Sequence, residues 1–223
     1  LGDVIEERIT PRDFGRIAAQ TAKQVVVQRI REAERGMIYS EFSGRQGEIV
    51  TGVVQRISND TVFINVGSAE GILAVNEQVH GESYPVNSRV KVYIMDVKNT
   101  TKGPQIYLSR SHPGLVKRLF EIEVPEIYDG TVEIKAISRV AGSRSKMAVY
   151  SRDPNVDAVG ACIGPRRSRI QNVVNELNGE KIDIINFSEN DEEFIAMALA
   201  PAEVTKVEIL DDDPEVKACR VTV

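Results

Sequence analysis

The 223-residue sequence predicts a multidomain α+β protein in which a long helix, a small all-β barrel and a mixed helix–strand unit follow one another. Three observations predict it. Apolar residues recur at helical spacing near the start, and the pattern then changes to alternation from Arg45 to Ser111. Further on, the stretch GACIGPRRSRIQNVVNELNGEKIDIINF, Gly160 to Phe187, joins two helical patterns through a glycine-bounded break and sets Arg166, Arg167 and Arg169 at the start of the second.

The first helix opens on Thr10-Pro11-Arg12-Asp13, with Thr as N-cap, Pro at the first helical position and an acid in the first turn. Phe14, Ile17, Ala18, Val25 and Ile30 then recur at helical spacing, and balanced charges carry the helix to about Phe42, before Ser43-Gly44. Residues 1–44 therefore read as a helical connector lying on a neighbouring domain, with no chemistry of its own.

Residues 45–111 read as a barrel. Glu48 to Val54 forms a strand with a mid-strand Gly52, the residue type that lets a small barrel bend sharply. Asn59-Asp60 turns the chain into Thr61 to Val66, where Val62, Ile64 and Val66 share one face. Glu70 to Ala74 follows. Then come Arg89 to Val97, with Val90, Val92 and Ile94 in alternation, and Gln105 to Arg110 after a Gly103-Pro104 turn. Five strands of this length predict a closed five-stranded barrel of the OB type. Phe63 is out of phase with Val62, Ile64 and Val66 and faces outward beside Asn65, where it either stacks a nucleic-acid base or covers a neighbouring loop or domain.

In the third unit, residues 112–200, Leu115, Leu119 and Ile122 fit a helix between Pro113 and Pro125. Thr131 to Ile137 and Lys146 to Tyr150 alternate as strands, and Asp157 to Ile163 is a short helix. Ile170, Val173, Val174 and Leu177 then form one apolar stripe of a helix that ends at Gly179, before the strand Glu180 to Ile185. Val204 to Leu210 and Ala218 to Val223 read as a further hairpin, in 201–223, turned at Asp211-Asp212-Asp213-Pro214.

Charge supports a function for the break. The formal net charge is −5, yet the segment from Glu189 onward alone carries −7, leaving +2 on the preceding 188 residues. Arg144, Lys146, Arg152, Arg166, Arg167 and Arg169 crowd into 26 residues with only Asp153 and Asp157. A local basic patch suffices to meet a phosphate backbone. A tight turn into a helix start exposes backbone N–H groups and the positive end of the helix dipole, and arginines there add forked donors.

The chemistry of other classes is missing from the sequence. Cys162 and Cys219 are too few for a disulfide framework or thiolate metal site, and His80 and His112 have no cysteine cluster beside them. There is no Gly-Lys-Ser/Thr phosphate loop, so no catalytic residue, metal or cofactor is expected. No apolar run approaches membrane length, and the expected site is a reducing, cytoplasmic one. Leu1 in place of a start methionine suggests a fragment.

Two resemblances extend this reading. Phe63-Ile64-Asn65-Val66-Gly67, Glu70-Gly71-Ile72-Leu73 and Leu108-Ser109-Arg110 resemble the ribosomal-protein-S-one type of OB fold. That resemblance implies a barrel binding single-stranded RNA on the face of its second and third strands, with Phe63, Asn65 and Arg110 as candidate contacts. Ala74-Val75-Asn76 stands where that family often has a histidine. The order helix–strand–strand–helix–break–helix–strand resembles a type II KH domain, whose Gly-x-x-Gly loop clamps a short single-stranded run. Ile163, Gly164, Pro165, Arg166, Arg167, Ser168 and Arg169 are the loop residues expected at RNA, with Arg144, Lys146 and Arg152 beside them. Here the loop reads Gly164-Pro165-Arg166-Arg167, with arginine in place of its last glycine.

Barrel before KH domain resembles the NusA family of bacterial transcription elongation, termination and antitermination factors. The segments that carry this are Phe14 to Gln24, Asp157 to Gly164, Val174 to Asp183 and Ala198 to Ala202. The resemblance implies a monomer that holds nascent single-stranded RNA beside RNA polymerase. It also implies polymerase contacts made mainly by an N-terminal domain of which only the last helix is present, and contacts with other termination and antitermination factors. The 201–223 hairpin would open a second KH domain. Two other readings stay open: an RNA-binding accessory region of a phosphorolytic exoribonuclease, in which KH would precede the barrel, and a protein-interaction module without RNA binding.

Overall fold

The computed structural model describes residues 12–101, 103–210 and 218–223. The Thr10-Pro11 cap, the Phe14 side chain and the turn at 211–214 lie outside the described residues.

Helix α1 (Arg12–Ser43) is solvated over residues 15–37, where Ile17, Val25 and Ile30 are exposed. Among the described residues, only its end is anchored. Phe42 is fully buried in the barrel core, and Ile38 and Tyr39 pack against that core. The helix thus stands as a strut, fixed at one end by an aromatic plug.

The barrel is built from β1 (Ile49–Ser58), β2 (Thr61–Asn65), β3 (Glu70–Leu73), β4 (Arg89–Thr100) and β5 (Gly103–Ser109), and it closes in the order β1-β2-β3-β5-β4. All neighbours run antiparallel except β3 and β5. Asn59 and Asp60 both take positive φ, 48° and 59°, the geometry of a tight hairpin turn between twisted strands. Gly52 sits where β1 pairs with β4 and crosses β2: a Cβ there would lie 2.3 Å from Ile64 Cγ2 and 2.7 Å from the Asn65 carbonyl oxygen. The alternation read from the sequence becomes the core, with Val54, Val62, Ile64, Leu73, Val92, Ile94, Ile106 and Leu108 buried.

The next unit comprises α2 (Pro113–Glu123), α3 (Pro125–Tyr128), β6 (Val132–Val140), β7 (Arg144–Ser151), α4 (Ala158–Ile163), α5 (Ser168–Glu176) and β8 (Lys181–Asn186). Strands form a β6-β7-β8 sheet, antiparallel then parallel. The helices bury one face of it around Leu115, Leu119, Phe120, Met147, Val149, Ile170 and Val173. Ile122, expected on the core stripe of α2, is instead 64% exposed, because the helix turns Val116 and Phe120 inward. Helix α6 (Asp191–Ala198) and the hairpin β9 (Lys206–Leu210) and β10 (Ala218–Thr222) complete the described chain. Sequence reading missed α6, although Asn190 caps it, its Oδ1 accepting from the Glu192 and Glu193 amides at 3.0 and 3.3 Å.

Barrel and sheet unit share a packed seam. Ile49 and Tyr93 of the barrel pack against the core of the second unit. Tyr93 stacks on His112 with ring centroids 4.6 Å apart, and His112 Nδ1 accepts the Gly114 amide to cap α2. Arg118 Nε donates to the Gly47 carbonyl at 2.7 Å. At the centre lies Arg110, which is buried and bonded to both sides: to Glu82 and the Lys91 carbonyl of the barrel, and to the side chain and carbonyl of Glu176 in α5. Burial disfavours its charged form, but hydrogen bonds and charge from Glu82 outweigh this and hold its pKa up.

Candidate nucleic-acid interface

The loop between α4 and α5 is built from the backbone outward. Asp157 caps α4, its Oδ1 accepting the Val159 amide at 3.1 Å, and Gly164 ends that helix at φ 73°. Gly164 is required twice over: its φ is left-handed, and a Cβ would lie 2.6 Å from Arg169 Cγ. Pro165 to Arg167 form a single tight turn closed by the Arg167 amide on the Gly164 carbonyl at 3.1 Å. Arg166 and Arg167 follow at φ 53° and 64°, two left-handed arginines in a row.

Left-handed backbone costs a residue with a Cβ roughly 1–2 kcal/mol, and it persists only where surroundings enforce it. Arg167 therefore keeps the turn geometry that a glycine would adopt freely. Arg167→Gly is expected to stabilise the chain by about 1 kcal/mol, visible as a higher melting temperature, while weakening single-stranded RNA binding through the lost charge.

The three arginines divide. Arg166 and Arg167 are exposed and their side chains make no hydrogen bond or ion pair among the described residues, so both guanidinium groups are available at the N-terminus of α5. Arg169 folds back across Gly164, its guanidinium donating to Glu126 at 2.8 Å and the Ala161 carbonyl at 2.6 Å. It ties α5 to α3 and α4, and so supports the loop. Ile163 is half-buried against the core beneath it, and Pro165 and Ser168 are exposed on the same edge. Cys162, under the loop, is buried, and burial pushes its thiol up to about 12.

Other expected contacts are placed elsewhere. Arg144, Lys146 and Arg152 alternate with the buried Ser145, Met147 and Val149, on the sheet face away from the helices that present the loop. Arg144 pairs with Asp183 at 2.6 Å and Arg152 with Glu133. Lys146 Nζ donates to the Ala198 and Ala200 carbonyls at 2.5 and 2.6 Å, where a cation meets the negative end of α6. Arg110 is corrected outright: 2% exposed and saturated with partners, it belongs to the seam between the barrel and the sheet unit and offers RNA no surface.

On the barrel, Phe63 does face outward, half-buried on the outer surface of β2. The Arg56 guanidinium lies 3.5 Å from its ring centroid and is held by Glu70 at 2.8 Å. Sequence reading missed Arg56, although the hairpin register that pairs it with Phe63 follows from the Asn59-Asp60 turn. Asn65 Oδ1 accepts the Gly67 amide at 2.9 Å and so closes the β2–β3 turn.

Comparison with known proteins gives three consecutive family matches: the NusA N-terminal domain over residues 1–36, the S1 RNA binding domain over 44–109 and the NusA-like first KH domain over 110–187. A Bacillus subtilis protein named transcription termination/antitermination protein NusA is 60% identical over 96% of this chain and 57% of its own length. Proteins of the same name from Mycobacterium tuberculosis and Thermus thermophilus are 49% and 46% identical, aligned over 63% and 57% of their lengths. The chain thus spans roughly three-fifths of the relatives it matches. Among solved structures, a multidomain protein with nucleic acid binding domains from Streptococcus pneumoniae aligns with 60% of the chain at 10% identity and a TM-score of 0.27, too low to carry an inference.

Proposed function

From the premise that this chain belongs to the NusA family, we propose that it holds single-stranded RNA, the nascent transcript, beside RNA polymerase and so modulates pausing, termination and antitermination. The observation that carries this is the pair of exposed arginines, Arg166 and Arg167, whose guanidinium groups have no partner among the described residues and which are presented in left-handed backbone at the start of α5. Such a corner offers helix-terminal amides, a positive dipole end and two forked cations to a phosphate. Sequence preference would come from bases lying beyond the clamp, as in other modules that read unpaired RNA. Polymerase contacts, in this reading, belong mainly to the rest of the N-terminal domain, and accessory termination and antitermination factors to the assembled complex.

Arg166→Glu with Arg167→Glu is expected to weaken single-stranded RNA binding by well over tenfold at moderate salt with an unchanged melting curve, since each charge-assisted contact is worth about 1.5–3 kcal/mol. Affinity titrations against an unstructured oligonucleotide check it. Equal affinities for parent and variant would remove the loop from the site and favour a protein-interaction module.

A further inference from the structure

Two successive arginines in left-handed backbone need something to hold them there. Their own side chains supply nothing, since neither guanidinium has a partner among the described residues. The support comes from beneath the loop. The Arg169 stem lies across Gly164, where an added Cβ would meet Arg169 Cγ at 2.6 Å and Cδ at 2.8 Å, and the Gly164 carbonyl accepts the Arg167 amide at 3.1 Å. Arg169 is held in turn at its far end, where Nη1 donates to Glu126 Oε2 at 2.8 Å and to the Ala161 carbonyl at 2.6 Å. Glu126 has little freedom of its own. It sits in the first turn of α3, flanked in the chain by the buried Val124 and by Ile127, which packs against the core. Three residues along α5 from Arg169, Asn172 Nδ2 donates to Glu123 Oε2 at 2.9 Å. The elbow of α2 and α3 thus grips the first turns of α5 twice on one side.

We propose that Glu126 is a positioning residue for RNA binding: through Arg169 it clamps Gly164, and so presets Arg166 and Arg167 for phosphate before the strand arrives. The inference rests on the reading of this loop as the RNA site, and it names what shapes that site. Charge alone argues the other way, because a carboxylate beside a loop that receives phosphates repels them. Glu126 is nevertheless there, bonded to Arg169 and to neither of the two exposed arginines. That placement fits a task of geometry. A loop ordered in advance gives up less conformational entropy on binding, which raises affinity without any added contact.

The test uses the 223-residue chain, an unstructured oligonucleotide and two variants that remove the same charge. Glu126→Gln keeps an acceptor oxygen for Arg169, and Glu126→Ala does not. Glu126→Ala should bind about three- to tenfold more weakly than the parent, the cost of ordering the loop on binding, and Glu126→Gln should rescue that loss. Hydrogen exchange at the Arg167 amide of the free chain should quicken in Glu126→Ala and return to the parent rate in Glu126→Gln. The Glu126 side chain is 32% exposed, so both variants should melt close to the parent. Equal affinities for the two variants would overturn the proposal, since the hydrogen bond to Arg169 would then have no part in binding. Weaker binding by Glu126→Ala at an unchanged Arg167 exchange rate would overturn it too, because Glu126 would act without setting the loop. In either case the proposed function stands as long as charge reversal at Arg166 and Arg167 weakens binding. If that reversal changes nothing, the loop is not the RNA site and both readings fall.

Discussion

Replacing Glu180 by alanine is expected to destabilise the KH body by about 3–5 kcal/mol, enough to unfold it near body temperature, since small domains hold only about 5–15 kcal/mol in total. Glu180 and Arg139 form a fully buried ion pair, with Arg139 Nε and Nη2 each 2.9 Å from a Glu180 oxygen. Glu180 also accepts from Ser145 Oγ at 2.6 Å and the Gly142 amide at 2.9 Å, while Arg139 donates to the His112 carbonyl at 2.8 Å. One carboxylate thus ties the β6–β7 turn, the start of β8 and the segment entering α2. Alanine would leave a guanidinium, a hydroxyl and an amide unpaired in a dry interior, and uncompensated burial of a charge is the costly case.

The same group sets an acid limit. Burial pushes the Glu180 carboxyl up, but hydrogen bonds from Arg139, Ser145 and Gly142 outweigh it and hold the pKa below the usual carboxylate value. A carboxyl depressed by folding contributes its stability above the unfolded pKa and loses it as pH falls through the folded one. Denaturant midpoints should therefore decline below about pH 4.5 in the parent chain, and less steeply in Glu180→Gln, which has no proton to take up there. Equal midpoints for parent and Glu180→Ala at neutral pH would show that the pair is solvated.

Much of this architecture was legible because local periodicity encodes it. Alternation at Val62, Ile64 and Val66 and the stripe at Ile170, Val173 and Leu177 both became core. The glycine break and its arginines were legible too, but not their division of labour. Arg169 differs from Arg166 and Arg167 in lying within α5 instead of in the left-handed turn before it, and its stem crosses Gly164 toward Glu126. Arg110 was unreadable for another reason. Its partners Glu82 and Glu176 lie 28 and 66 residues away in sequence, so a strand-terminal arginine that looked like an RNA contact is a seam residue.

That seam supplies the last prediction. Arg110→Ala is expected to cost about 3–5 kcal/mol and to uncouple the barrel from the KH body, so that one cooperative melt becomes two. Glu82 would lose its main counter-charge while still receiving hydrogen bonds from Tyr84 at 2.6 Å and from Asn178, and the Glu176 carboxylate would keep, among the described residues, Lys91 at 3.3 Å. The Tyr93–His112 stack and the Arg118–Gly47 contact would remain, so the two bodies should stay close but reorient. Small-angle scattering then distinguishes a rigid parent from a variant with a broader distance distribution. RNA affinity gives a second readout: a strand touching both Gly164–Arg167 and the barrel gains from their fixed spacing, because the second contact forms at high effective concentration. Uncoupling should therefore weaken a long oligonucleotide more than one short enough to reach the loop alone. A single sharp melt, parent-like scattering and unchanged affinities at both lengths would show that packing at Tyr93 and Ile49 holds the bodies together without the buried arginine.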